Sequence, residues 1–283
     1  MTVFQIFIVA VIQGACEMLP VSSSAHVIMV EKLMGIDPTT PEMTFLLVML
    51  HTGTMLAVIV YFWRAWRRRF FASRSTFSKF AQLVTVATGA TAIVGLALLL
   101  VIERVILRGT AHAEVEELFG NPKLIAAGLV MAGVMVVLSG RRESLSPGEG
   151  MLKPWAAIWI GAVQGVCLPF RGFSRSGSTI STGLFLCLDK SRVEEFSFAL
   201  AVVLTPAVIA REGYRLFKAN HGLMANAVSS FYLAVPGLLG MVFSFMAGVV
   251  ALRWLSRWLE RGRWQWFGYY CLFAALVVLL SFP

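Results

Sequence analysis

Apolar residues run along this chain in long uninterrupted blocks, separated by short polar breaks, with no two-residue alternation of the kind a strand needs. Six blocks reach, or nearly reach, the roughly 20 residues that cross about 30 Å of hydrocarbon as a helix. They lie at about Thr44–Trp63, Ala81–Ile102, Pro122–Ser139, Phe196–Ala210, Phe231–Leu252 and Trp264–Pro283. The fourth is short and contains Pro206, and is expected to continue past Arg211. Two further regions are apolar for about half a span and then turn polar. Thr2–Cys16 runs into Glu17, Pro20 and three serines, and Trp155–Phe170 runs into Arg171, Gly172 and the segment SRSGST. Short apolar stretches follow each turn, Val27–Val30 and Ile180–Leu188. Two half-helices joined by a polar turn describe a re-entrant hairpin, and irregular backbone at membrane depth survives only where protein or a wet cavity satisfies it.

The two regions also resemble each other. Gln13-Gly-Ala-Cys16 recurs as Gln164-Gly-Val-Cys167, and each is followed by Leu-Pro and then serines. The chain thus reads as one integral membrane domain, 1–283, with half-repeats of about 1–140 and 150–283, each a hairpin followed by three spans. A hairpin returns to its own side and three spans do not, so the second half enters from the opposite face, making an inverted repeat. The expected fold class is an all-α polytopic membrane protein with six transmembrane helices and two re-entrant helix hairpins.

Composition agrees. Of 283 residues 58% are hydrophobic and 14% charged, against about 45–50% and 25% in soluble domains, and mean hydropathy is +0.78. The net charge of +9 is read as basic loop residues that fix topology rather than as a nucleic-acid surface. Fifteen Lys and Arg fall in one set of loops (Arg64 to Lys79, Arg141 to Lys153, Lys190 and Arg192, Arg253 to Arg263). Seven fall in the other set (Lys32, Arg104 to Lys123, Arg211 to Lys218). This bias places both termini outside, along with the acidic loop of Glu114, Glu116 and Glu117. The cysteines Cys16, Cys167, Cys187 and Cys271 sit in apolar stretches without a CxxC pair and read as small buried residues. The N-terminus has no basic segment ahead of its apolar run, so a cleaved signal peptide is not expected.

The chemistry concentrates in the two turns. Gln13 and Glu17 are four apart and share a helix face. Pro20 ends that helix, and Ser22 is placed to cap the next. Ser22 or Ser23 and His26 then share one face, bringing a carboxylate, hydroxyls and an imidazole together. An ionisable group such as Glu17 at membrane depth costs several kcal/mol and marks function. In the second turn, Arg171-Gly-Phe-Ser174-Arg175-Ser176-Gly177-Ser178-Thr179, a glycine-containing helix start offers free N–H groups to a phosphate, and Arg175 adds a fork of donors. Arg175 also has the option of pairing with Glu17. The first turn suits a divalent metal or a general base, the second a multiply charged anion, and the surrounding lipid an amphiphile with an apolar tail. Phosphoryl chemistry on a lipid phosphate follows.

These segments resemble those of the bacterial undecaprenyl pyrophosphate phosphatase family, the bacitracin-resistance type. QGACEMLPVSSSAH resembles its [E/Q]-x-x-x-E motif with the following Pro-Val-Ser-Ser-x-x-His turn, and RGFSRSGST its Pro-Gly-x-Ser-Arg-Ser-x-x-Thr motif. Glu195-Phe-Ser-Phe198 and His51-Thr-Gly-Thr54 also look like family segments, and the likeness covers nearly the whole chain. The resemblance implies hydrolysis of undecaprenyl pyrophosphate to undecaprenyl phosphate and phosphate, in the bacterial inner membrane, with the site open to the periplasm. It implies a divalent cation, Mg2+ or Ca2+, at Glu17 and Gln13. Glu17, Ser23, His26 and Arg175 are then the catalytic residues, and Ser22, Ser174, Ser176, Gly177, Thr179 and Arg171 bind substrate. Partners are undecaprenyl pyrophosphate and membrane lipid, not nucleic acid, with a homodimer left open. The chain departs from the pattern in having Gln13 where many members have Glu, Arg171 for proline and Ala25 for glycine.

The preferred mechanism has Arg175 and the turn N–H groups hold the β-phosphate while Ser23 attacks, with His26 or Glu17 taking its proton. The alternative is attack by water beside the cation with Glu17 as base. The rival class is a lipid-phosphate transporter or flippase with the same midplane anion site. A phosphatidic-acid-type phosphatase fits poorly, because its Lys…Arg-Pro, Pro-Ser-Gly-His and Ser-Arg…His set is missing.

Overall fold

The computed structural model describes residues 1–283 other than 38–39, 107–120, 146–147, 149, 220–226 and 282–283. Arg108 and the acidic segment with Glu114, Glu116 and Glu117 lie outside the described residues. The first half comprises α1 (Val3–Met18), α2 (Ser23–Leu33), α3 (Pro41–Arg69), α4 (Arg74–Val101), a π-helical turn (Ile102–Ile106) and α5 (Pro122–Leu145). The second half comprises α6 (Pro154–Cys167), α7 (Arg175–Phe185), α8 (Lys190–Ala219), α9 (Ala227–Glu260) and α10 (Gln265–Ser281). Among the described residues no strand forms, only an isolated bridge between Gly150 and Leu188.

Local chemistry sets the helix ends. Thr2 and Ser73 close capping boxes on α1 and α4, and Thr40 accepts from the Met43 N–H with Pro41 in the first turn of α3. Pro20 stops α1, and Leu19 before it takes the extended backbone (φ −74°, ψ 151°) that a pre-proline residue favours. Ser22 begins α2 without the expected side-chain cap. Its φ of 67° lies in the left-handed region, and its side chain meets Ser24 at 3.2 Å instead. Such a backbone in a non-glycine residue is strained, and strain of this kind collects at functional turns.

Among the described residues four helices are long and apolar enough to cross a membrane: Glu42–Arg69, Arg74–Arg104, Pro122–Glu143 and Val235–Glu260. Large apolar side chains such as Phe4, Ile93, Val250 and Leu280 are exposed, as lipid-facing positions require. The protein is therefore an all-helical, multi-pass membrane protein. The expected blocks Phe196–Ala210 and Trp264–Pro283 coincide with α8, which continues through Pro206 to Ala219, and α10, which has 17 residues.

The short helices α1 and α6 are drawn against long helices of the other half: α1 lies on α9, and α6 on α4. Each contact is made at the glycine of the repeated Gln-Gly pair. A Cβ on Gly14 would stand 2.5 Å from the Ser244 carbonyl oxygen, and one on Gly165 would stand 2.7 Å from that of Thr91. Only glycine permits backbones that close. Gln164, the counterpart of Gln13, donates to Thr91 Oγ1 at 3.0 Å. An aromatic core containing Phe62, Trp66, Phe196, Phe198 and Trp264 fills the middle of the bundle.

Candidate active site

The two polar turns touch. Ser176 Oγ donates to the Leu19 carbonyl at 3.2 Å, and Gly177 lies against Pro20, where a Cβ would come to 3.1 Å of the proline Cβ. Between the turns is a cavity of about 310 Å³ walled by Glu17, Ser22, Ser23 and Ser24 from the first and by Arg171, Ser174, Arg175 and Ser176 from the second. His51 of α3 forms one side, and Leu168, Phe170, Phe173, Ala201 and Leu204 provide an apolar wall.

Glu17 is the hub. Its Oε1 accepts from Arg175 Nη2 at 2.9 Å, and its Oε2 accepts from Ser23 Oγ at 2.6 Å and Gln13 Nε2 at 3.3 Å. The Arg175–Glu17 pair that the sequence allowed is therefore formed. It uses only one arm of the guanidinium: Arg175 Nη1 is buried without a hydrogen-bond partner. A buried donor left without a partner is costly. At the start of α7, Ser174 Oγ accepts from the Gly177 N–H at 3.2 Å and the Ser174 carbonyl accepts from Ser178 N at 3.0 Å. The N–H groups of Arg175 and Ser176 precede the helical ladder and have no partner within it.

Not every expected residue reaches this cavity. His26 does not line it. Its Nδ1–H donates to the Ser22 carbonyl at 2.8 Å, and its Nε2 accepts from Tyr270 OH at 2.7 Å, with the rings stacked 5.6 Å apart. Both nitrogens are used outside the cavity, so this geometry offers Ser23 no imidazole base. Thr179 Oγ1 donates to the Arg175 carbonyl at 2.8 Å and meets Ser197 Oγ at 2.6 Å, which turns it towards α8. The Gly177 N–H is occupied by Ser174, so that glycine serves the close approach to Pro20. Gln13 is buried behind Glu17 with its amide between Glu17 and His51 Nε2, 3.4 Å away. Arg171 is exposed at the mouth.

His51 lines the cavity, and the sequence pattern assigns it no role beyond its place in a family-like segment. A lone histidine in an apolar span has no spacing that distinguishes a working residue from a packed one. Its Nδ1–H donates to the Leu47 carbonyl at 2.8 Å, leaving Nε2 as the acceptor for Gln13.

The cavity's donors also bear on the implied cation. Among the described residues no three of His, Cys, Asp and Glu converge. What the cavity presents is one carboxylate, Glu17, and the hydroxyls of five serines, Ser22, Ser23, Ser24, Ser174 and Ser176. An oxygen set with a single carboxylate suits Mg2+ or Ca2+ sharing its shell with substrate phosphates, and does not suit a metal that prefers nitrogen or sulfur.

The family described as bacitracin resistance protein BacA matches residues 6–277. The chain belongs to the BacA family. Undecaprenyl-diphosphatase 2 of Acinetobacter baylyi is 55% identical over 283 residues, covering 99% of each chain. The undecaprenyl-diphosphatase of Rhodopirellula baltica is 30% identical over 98% of this chain and 96% of its own. Undecaprenyl-diphosphatase 1 of Burkholderia pseudomallei is 33% identical over 99% and 96%. In this BacA-family chain both motif segments fall inside the matched region and both border the one cavity described above.

Proposed function

We propose that this BacA-family protein is an undecaprenyl-diphosphatase that converts undecaprenyl pyrophosphate to undecaprenyl phosphate and inorganic phosphate and so recycles the cell-wall carrier lipid. The observation that carries this reading is the Glu17–Ser23–Arg175 cluster. A hydroxyl 2.6 Å from a carboxylate stands beside a guanidinium with one buried arm free. The apolar wall of Phe170, Phe173, Ala201 and Leu204 leaves room for the first isoprene units beside the phosphates.

In the proposed reaction the free arm of Arg175 and the N–H groups of Arg175 and Ser176 hold the terminal phosphate, with Arg171 at the mouth adding charge. Ser23 Oγ attacks the terminal phosphorus, its proton passes to Glu17 Oε2, and the bridging P–O bond breaks to release undecaprenyl phosphate. Glu17 passes that proton to the departing undecaprenyl phosphate oxygen and is again a carboxylate. It then takes a proton from water, which attacks the phosphoserine, and returns that proton to Ser23 Oγ as the P–O bond to serine breaks and phosphate is freed. Ser22, Ser174 and Ser176 line the phosphate site. A divalent cation would be held at Glu17 and would supply charge neutralisation to the phosphates. Gln13 orients Glu17 rather than reaching the cavity, and His26 holds the Ser22 carbonyl, fixing the strained turn that aims Ser23.

The same reading extends to topology. With α8 and α10 crossing alongside the four long apolar helices, and α1–α2 and α6–α7 re-entering, six spans and two hairpins result. The halves are related as an inverted repeat: exchanging them converts the α1–α9 contact into α6–α4 and leaves the pairs α3–α8 and α5–α10 in place. Both termini and the cavity mouth then face the periplasm across the inner membrane.

Complementation tests the function. A bacterial strain depleted of its own undecaprenyl-diphosphatases is expected to grow and regain bacitracin tolerance with this chain, but not with Arg175→Ala produced at equal level. Failure of the unmodified chain to rescue, when it is present in the membrane, counts against the function. Transport across vesicles without phosphate release points to the flippase class.

A further inference from the structure

The last turns of α9 carry features that the catalytic reading does not use. Arg253, Arg257 and Arg261 recur every four residues, and all three are exposed. At 1.5 Å per residue they form a ridge of guanidinium groups roughly 12 Å long. They border a cavity of about 380 Å³ whose other walls are Val250, Trp254 and Trp258. A second ridge runs beside the first, also at four-residue spacing: Met246, Val250 and Trp254, which are 58%, 65% and 45% exposed. It descends into the apolar body of the span Val235–Glu260. The indoles are fixed: Trp254 meets Trp258 edge-on at 5.2 Å, and Phe267 of α10 packs on both at 6.0 and 5.2 Å.

Two ordinary explanations for these arginines are weakened by the geometry. Basic residues often satisfy the last carbonyls of a helix, but here the backbone does so. Gly262, at φ 66°, turns the chain so that Gly262 N–H donates to the Leu259 carbonyl at 3.1 Å and Arg263 N–H to that of Trp258 at 2.8 Å, the closure of a Schellman motif. Ion pairing is the other explanation, yet among the described residues none of the three forms a salt bridge. Loop charge that only fixes topology needs neither a shared cavity nor a locked aromatic floor.

We propose that the end of α9 is a binding site for an anionic membrane phospholipid. The phosphodiester lies between Arg253, Arg257 and Arg261, the glycerol region rests on Trp254 and Trp258, and an acyl chain follows Val250 and Met246 into the bilayer. The occupant is a lipid rather than free phosphate because the charged ridge continues directly into the exposed apolar one. α9 also carries α1 through the Gly14–Ser244 contact, so an occupied site steadies the helix on which Glu17 is mounted.

The test uses the full-length protein in nanodiscs made from equal amounts of phosphatidylglycerol and phosphatidylcholine, with native mass spectrometry reading the lipids retained after the disc is stripped. One basic residue near an anionic surface is worth on the order of fivefold. The parent is therefore expected to retain phosphatidylglycerol at least about fivefold over phosphatidylcholine. Arg253→Gln/Arg257→Gln/Arg261→Gln is expected to bring the ratio near one, and the three Lys replacements to keep part of the preference. Equal retention of both lipids by the parent overturns the proposal and needs no variant to fold. So does loss of phosphatidylglycerol on adding millimolar inorganic phosphate, which marks a site for free anions. Undiminished preference in a folded Gln triple variant, judged by unchanged detergent-phase phosphate release, also overturns it.

Discussion

Replacing Glu17 by Gln changes almost nothing in shape and removes the charge on which the site converges. The carboxylate receives three donors, from Arg175 at 2.9 Å, Ser23 at 2.6 Å and Gln13 at 3.3 Å. An amide has one acceptor oxygen and one NH2 group, so either Arg175 or the Ser23–Gln13 pair must face a donor. Removing one member of a buried ion pair costs about 3–5 kcal/mol. The side chains here are 19% and 20% exposed, so solvent relieves part of this and about 2 kcal/mol is the expected loss of stability. The catalytic loss is larger. A positioned base contributes about 10²–10⁴ in rate, and the amide can neither take the Ser23 proton nor activate water. The assay is phosphate release from undecaprenyl pyrophosphate by purified protein in detergent, with a melting curve on the same sample. Glu17→Gln is expected to melt several degrees lower yet remain folded at the assay temperature, with kcat reduced about 10²–10⁴. Glu17→Asp, which keeps the charge at a shorter reach, is expected to fall between. A folded Glu17→Gln protein turning over within about tenfold of the parent refutes the base assignment.

Arg175→Ala is expected to abolish turnover in a folded protein, and Arg175→Lys to restore little of it, because an ammonium cannot hold Glu17 and a phosphate with two fixed arms; substrate titration of both variants checks this. Ser23→Ala is expected to lose most activity while Ser24→Ala, whose hydroxyl meets only Ser22 at 3.2 Å, keeps most of it; rapid acid quench with labelled substrate should trap phosphoserine at position 23 of the parent. Tyr270→Phe leaves the His26 ring stacked but without its hydroxyl partner, and a drop in kcat of about tenfold or less, measured beside the Ser23→Ala loss, separates a positioning role from a catalytic one. Exhaustive chelation should stop phosphate release, with recovery on adding Mg2+ or Ca2+. New cysteines at Ser75 and Glu116, in a background lacking native ones, should label in intact cells from outside only at position 116; the reverse pattern inverts the topology.

The two turns were legible because their chemistry is local. Glu17, Pro20 and Ser23 lie within seven residues, and Arg175 opens a helix whose neighbouring serines and glycines announce an N-terminus. The repeated Gln-Gly pair also showed where each half-helix begins its turn, although its packing reason, backbone contact with Ser244 and Thr91, emerges only in three dimensions. The partners of His26 were not legible, because helical spacing from Ser23 says only that two side chains leave the same region of a helix. Tyr270, 244 residues away, captures the ring, and no local pattern records such a partner. The motif position of Thr179 points to phosphate, whereas in the structure its hydroxyl meets that of Ser197 on the next helix. The role of His51 was hidden for a different reason: the amide linking it to Glu17 belongs to Gln13 on α1, 38 residues away.

The most direct measurement counts products. Purified protein in detergent, given undecaprenyl pyrophosphate as sole substrate, should release one inorganic phosphate for each undecaprenyl phosphate formed, and the Arg175→Ala variant should release neither. Unchanged pyrophosphate lipid under the parent, with the same protein moving that lipid across a vesicle membrane, contradicts the account.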